Sequence, residues 1–162
     1  MTPRSPWSTD ELARLDDNGS RLERVLQRLG PDHWDRPIGD GWTVKQMLAH
    51  LAFWEETTLP VIETMLRGGP ELPADRWYGG DTLRLGPDDP WPDADSHNTR
   101  EASWADHQTA AVVLDRWRQA RHRLKQLVAT VTEPEALGDV GDHLTQAREH
   151  TEHHAEQLEA MA

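Results

Sequence analysis

The chain of 162 residues contains no cysteine, a single tyrosine, a single phenylalanine and only two lysines. Without cysteine there is no disulfide, no thiolate ligand for a metal and no cysteine nucleophile, so any thiol chemistry requires a thiol supplied from outside. No apolar run approaches the roughly 18–20 residues of a membrane span, and the opening MTPRSPWSTDEL has no apolar segment of the secretory kind. A soluble, cytoplasmic protein is expected. Fifteen arginines carry nearly all the positive charge, yet they form no basic stripe, and the formal net charge is −12. Binding to a nucleic-acid backbone needs clustered cations, so nucleic acid is excluded as an expected partner. The length suits one domain, residues 1–162, with a single core.

What the sequence does have is helical periodicity. Leu12, Leu15, Gly19, Leu22, Leu26 and Leu29 recur at alternating steps of three and four, which predicts a helix from Ser8 to Gly30. Ser8 and Glu11 read as a capping box there, and Gly30-Pro31 as the stop. A second helix is expected over GWTVKQMLAHLAFWEETTLPVIETML, capped by Thr43 and Gln46 and burying Val44, Leu48, Leu51, Leu59 and Ile62. Pro60 falls inside it and predicts a bend. A third helix is expected from about Asn98 to Val131, with Val113, Trp117, Ala120, Leu124, Leu127 and Val131 inward, and a fourth from Val140 to the end. There is no internal repeat and no strand pattern. The fold class is therefore all-α, a four-helix bundle with a long crossover loop between helices two and three. That loop, Arg67 to His97, carries Trp77, Tyr78 and Trp91, which argue against simple disorder and qualify as a lid or substrate wall.

The fourth helix concentrates histidine in EHTEHHAEQLEAM. At about 100° per residue, His143, His150 and His154 share the apolar stripe, while Glu149, Glu152, Glu156 and Glu159 gather opposite. A lone histidine on such a stripe is ordinarily a hydrogen-bonded core residue. Two at i and i+4 lie about 6 Å apart on one face and can reach a single ion, so the pair reads either as buried imidazoles or as two metal ligands. A third ligand would come from another helix, and His50, beside Met47 and Trp54, is the candidate. His107 and His122 are less well placed, and His33 and His97 are assigned to turns. Glu55 projects into the apolar stripe of the second helix. A carboxylate there is either a base or a partner of a metal-bound histidine, or it is paired with an arginine such as Arg121.

Two motifs carry a resemblance. GWTVKQMLAHLAFWEE resembles the helix-two signature, and EHTEHHAEQL the helix-four His-x-x-x-His followed by Gln-Leu, of the DinB/YfiT-like metal-binding four-helix bundle superfamily. The resemblance implies that His50, His150 and His154 bind one divalent ion, commonly zinc or nickel, with His143 in reserve. It also implies relatives that are thiol S-transferases, thiol-dependent isomerases or hydrolases of reactive small molecules, and that dimerise often. The expected activity is thiol transfer to, or hydrolysis of, a small electrophile, with a low-molecular-weight thiol as possible cosubstrate and no membrane partner. The alternative is a non-catalytic metal-binding or dimerising bundle.

Overall fold

A computed structural model describes residues 3–39, 41–70, 77–79, 82–84 and 93–162, with 77–79 and 82–84 described by their backbone alone. Helix α1 runs from Pro6 to Leu29, three residues earlier than the Ser8 cap predicts. Proline favours the first helical position because its φ is already helical, and Ser5 caps in front of it by accepting from the Ser8 amide at 3.1 Å. Ser8 and Glu11 are drawn instead into tertiary bonds. The Ser8 hydroxyl donates to the Val128 carbonyl at 2.8 Å, and Glu11 accepts from Arg148 at 2.8 Å. Gly30 ends the helix with φ of 71°, a left-handed conformation that glycine adopts without penalty.

Strands β1 (Pro37–Ile38) and β2 (Trp42–Thr43) pair antiparallel and lead into α2 (Val44–Leu66). The Thr43–Gln46 capping box forms as the sequence predicts, and α2 continues unbroken through Pro60. A second antiparallel pair, β3 (Trp77–Gly79) with β4 (Thr82–Arg84), lies inside the segment read as loop.

The expected third helix is two helices. α3 (Ala94–Asp106) and α4 (Ala110–Val128) are separated at residues 107–109, where Thr109 leaves helical geometry and its side chain caps α4 by accepting from Val112. His97 consequently lies on α3, fully buried, rather than in a turn. Short α5 (Glu133–Ala136) precedes α6 (Asp139–Glu159), and Met161, past the end of α6, is exposed. The α5–α6 junction needs a glycine, since a Cβ on Gly141 would lie 1.9 Å from the Ala136 carbonyl oxygen.

The core falls into two hydrophobic clusters. One holds Leu22, Leu26, Met47, Leu51, Trp117 and Leu158, and the other Leu12, Leu15, Ile62, Leu124 and Leu144. Between the two sets along the chain, each of the four long helices places buried polar residues: Asn18 on α1, Glu55 on α2, Arg121 on α4, Arg148 and Thr151 on α6. Burying such groups is tolerable only where they satisfy one another. Arg121 donates to Glu55 at 2.5 Å, Asn18 at 2.5 Å, Thr151 at 2.8 Å and the Leu15 carbonyl at 3.2 Å, and Asn18 donates to the Arg148 carbonyl at 3.2 Å. The glutamate face of α6 is likewise only partly given to water, because Glu159 takes two bonds from Arg21 of α1 at 2.6 and 2.7 Å. Among the described residues no helix is long and apolar enough to cross a membrane.

Candidate metal centre

α2 and α6 lie against each other, and the facing stripes that bury Met47, Leu51, Ala155 and Leu158 also turn three imidazoles toward one another. His150 and His154 sit one turn apart on α6, as i and i+4 residues must. His50 approaches from α2, with its Nε2 2.8 Å from that of His150, and the Nε2 of His154 is 3.2 Å from the same atom. His50 and His154 are each 8% exposed, and His150 is half-buried. No other group of this kind occurs among the described residues; His143, half-buried on α6, is not part of it.

Two neutral amides hold the outer nitrogens. His50 Nδ1 lies 3.0 Å from Asn98 Oδ1, and His154 Nδ1 lies 2.8 Å from Gln157 Oε1. A carbonyl oxygen can only accept, so both imidazoles carry their proton on Nδ1 and turn a bare Nε2 inward. His150 has at most one proton to place between those two lone pairs. Three inward nitrogens with one hydrogen among them are under-satisfied by themselves and suited to a cation, which accepts all three lone pairs at once. Nitrogen ligands about 2.0–2.1 Å from a tetrahedral ion stand roughly 3.3 Å apart. The His150–His154 pair already has that separation, the His50–His150 pair would open slightly, and the His50–His154 pair lies within 4.8 Å. The donor set therefore fits a divalent ion.

Burial, reinforced by the neighbouring imidazoles, lowers the pKa of His50 to about 3 and that of His150 to about 4. Both are neutral at pH 7, the form in which imidazole binds metal. Trp42 and Trp54 are half-buried and flank the site. Their rings stand edge-on to His50 with centroids 4.8 and 6.1 Å away.

Glu55 is 2% exposed, and its hydrogen bonds run to Arg121 and to Thr151 rather than to an imidazole. Burial pushes its carboxyl up against the opposing pull of Arg121. The carboxylate thus anchors α2 to α4 and to the residue next to His150 on α6. Of the loop aromatics, Trp91 lies outside the described residues, as do the side chains of Trp77 and Tyr78, whose backbone forms β3.

Asn98 escaped sequence reasoning altogether. Its bond to His50 joins residues 48 apart through the packing of α3 on α2, and no spacing rule reports that. Gln157 was visible only as part of the helix-four motif.

A family model of the DinB superfamily matches residues 14–158, a span that includes all three histidines. No curated protein and no solved structure matches the chain.

Proposed function

The chain belongs to the DinB superfamily, and from that premise we propose that it is a divalent-metal-dependent enzyme acting on a small electrophilic molecule, by thiol transfer or by hydrolysis. The observation that carries this reading is the convergence of His50, His150 and His154 on one point, with two of their outer nitrogens already engaged. Three protein ligands leave coordination positions open, which distinguishes a catalytic site from a closed structural one. When bound, zinc or nickel supplies a Lewis acid that makes a thiol or water nucleophilic near neutral pH.

The residues of the chain prepare for that chemistry in three ways. His50 and His150 are neutral at pH 7, so no proton competes for their inward nitrogens. Asn98 and Gln157 orient the rings without adding negative charge. The positive charge of an ion would stay uncompensated by its ligands and favour an anionic nucleophile. Trp42 and Trp54 stand edge-on to His50 and offer apolar surface to a small substrate. The lack of cysteine accords with a thiol that arrives as a cosubstrate.

Elemental analysis of the untagged protein beside His150→Ala and His154→Ala tests the reading. About one zinc or nickel per chain, lost in both variants, is expected. Mycothiol, bacillithiol and glutathione, each offered with a generic electrophile, then separate transferase from hydrolase. A full complement of metal with no turnover of any electrophile would favour a non-catalytic bundle, and absence of metal after reconstitution would overturn the proposal.

A further inference from the structure

The amide of Asn98 is placed unusually for a residue at the start of a surface helix. Its Oδ1 accepts from two rings of α2, the indole Nε1 of Trp54 at 3.1 Å and Nδ1 of His50 at 3.0 Å. Trp54 Nε1 also lies 3.1 Å from His50 Nδ1, so the three groups form a closed triangle. With the amide oxygen turned toward the two rings, only one proton arrangement satisfies it. If His50 Nδ1 were bare and took the indole proton, its lone pair would face the lone pairs of Asn98 Oδ1 at 3.0 Å, two acceptors in contact. With the proton on Nδ1, both rings donate to one carbonyl, and the Nε2 of His50 is left bare toward His150.

α3 is fixed firmly enough on α2 to impose this choice. His97, the neighbour of Asn98, is fully buried and stacks on Phe53 of α2 with centroids 5.4 Å apart and planes 18° from parallel. One turn before Asn98, Asp93 caps α3 by accepting from the Ser96 amide at 2.7 Å. The break between α3 and α4 at residues 107–109 allows α3 its own orientation on α2. The amide is thus delivered by a separate short helix.

We propose that Asn98 is a positioning residue of the histidine centre: it fixes His50 as the Nδ1–H tautomer, aims its Nε2 inward, and at the same time locks the Trp54 ring beside it. Its effect on a metal ion rests on the proposed metal site. Its effect on the tautomer does not. A neutral amide orients the ring without the negative charge of a carboxylate, so the conservative replacement by aspartate retains the acceptor and strengthens the imidazole as a ligand, whereas alanine or leucine removes the acceptor.

The test uses the full chain in metal-free form at pH 7.5, with nitrogen chemical shifts of the His50 ring read by long-range proton–nitrogen correlation, followed by zinc titration against a chromophoric chelator. Wild type is expected to show a protonated Nδ1 and a bare Nε2. Asn98→Ala is expected to show a tautomer mixture and to lose about 10–100-fold in zinc affinity, and Asn98→Asp to restore both, with metal-free melting temperatures alike in the two variants. Should Asn98→Ala fail to fold, Asn98→Leu preserves the volume and carries the same expectation. A His50 that remains Nδ1–H in Asn98→Ala or Asn98→Leu overturns the proposal, as does a failure of Asn98→Asp to restore the tautomer. If wild type shows the tautomer yet binds no zinc, the metal reading falls and Asn98 is judged by the nitrogen shifts of its variants alone.

Discussion

His50 on α2 and His150 on α6, a hundred residues apart in the chain, meet Nε2 to Nε2 at 2.8 Å. Neither ring is charged at neutral pH, since burial holds their pKa values near 3 and 4. The contact places two inward nitrogens where each needs a proton or a cation.

Metal removal should therefore be felt as stability. A ligand that binds only the folded state, present at a thousand times its Kd, stabilises by about 4 kcal/mol. Chelation is expected to lower the melting temperature of metal-loaded wild type by several degrees and to leave His150→Ala unmoved. Thermal denaturation with and without a chelator checks both arms, and an equal response in wild type and variant would contradict the site.

Acid should weaken the metal-free protein earlier than its carboxylates alone would. The folded pKa values of His50 and His150 lie below the unfolded value near 6.5, so the unfolded chain takes up protons first. Stability is complete above about pH 6.5 and falls as pH drops toward 4 and then 3, by up to roughly 1.4 kcal/mol per pH unit for each group. Urea midpoints between pH 7 and 5, where carboxylates contribute least, should fall less steeply in His150→Phe than in wild type.

Removing Arg121 strands a buried carboxylate. Arg121→Ala is expected to cost about 3–5 kcal/mol, which for a chain of this size lowers the melting temperature by roughly 10 °C. Glu55→Gln separates anchoring from proton transfer. As an anchor, its loss of activity should track its loss of folded protein; as a base, it would lose turnover at unchanged melting temperature and metal content.

Two glycines should respond with opposite sign to alanine. A Cβ on Gly19 would meet Trp117 at 3.7 Å and Arg121 at 3.8 Å, ordinary contacts, so Gly19→Ala is expected to be neutral or to stabilise α1 by up to about 1 kcal/mol. Gly141→Ala would drive a methyl into the Ala136 carbonyl and should destabilise by more than about 2 kcal/mol. Melting temperatures of the two variants decide it.

Much of this architecture is legible in local pattern. The Leu12-to-Leu26 seam, the Thr43–Gln46 box and the Gly30 stop are consequences of helical periodicity and capping, which act over a few residues and so leave their mark in the sequence. The division of α3 from α4 was not legible, because residues 107–109 contain neither glycine nor proline and the heptad of α4 can be extended backwards without violating any local rule. Ser8 and Glu11 have a correct capping spacing, but tertiary partners on α4 and α6 claimed them.

The site divides along the same line. By itself the sequence determined that His150 and His154 share one helical face and that Glu55 lies on a buried one, since side-chain direction along a helix follows from 3.6 residues per turn. The helix-two motif pointed to His50 as the ring that meets them; tertiary structure alone decided at what distance and through which proton arrangement. His50 crosses from α2 and Asn98 from α3, and the contacts between helices that bring them together depend on packing and desolvation, which no spacing along one chain encodes.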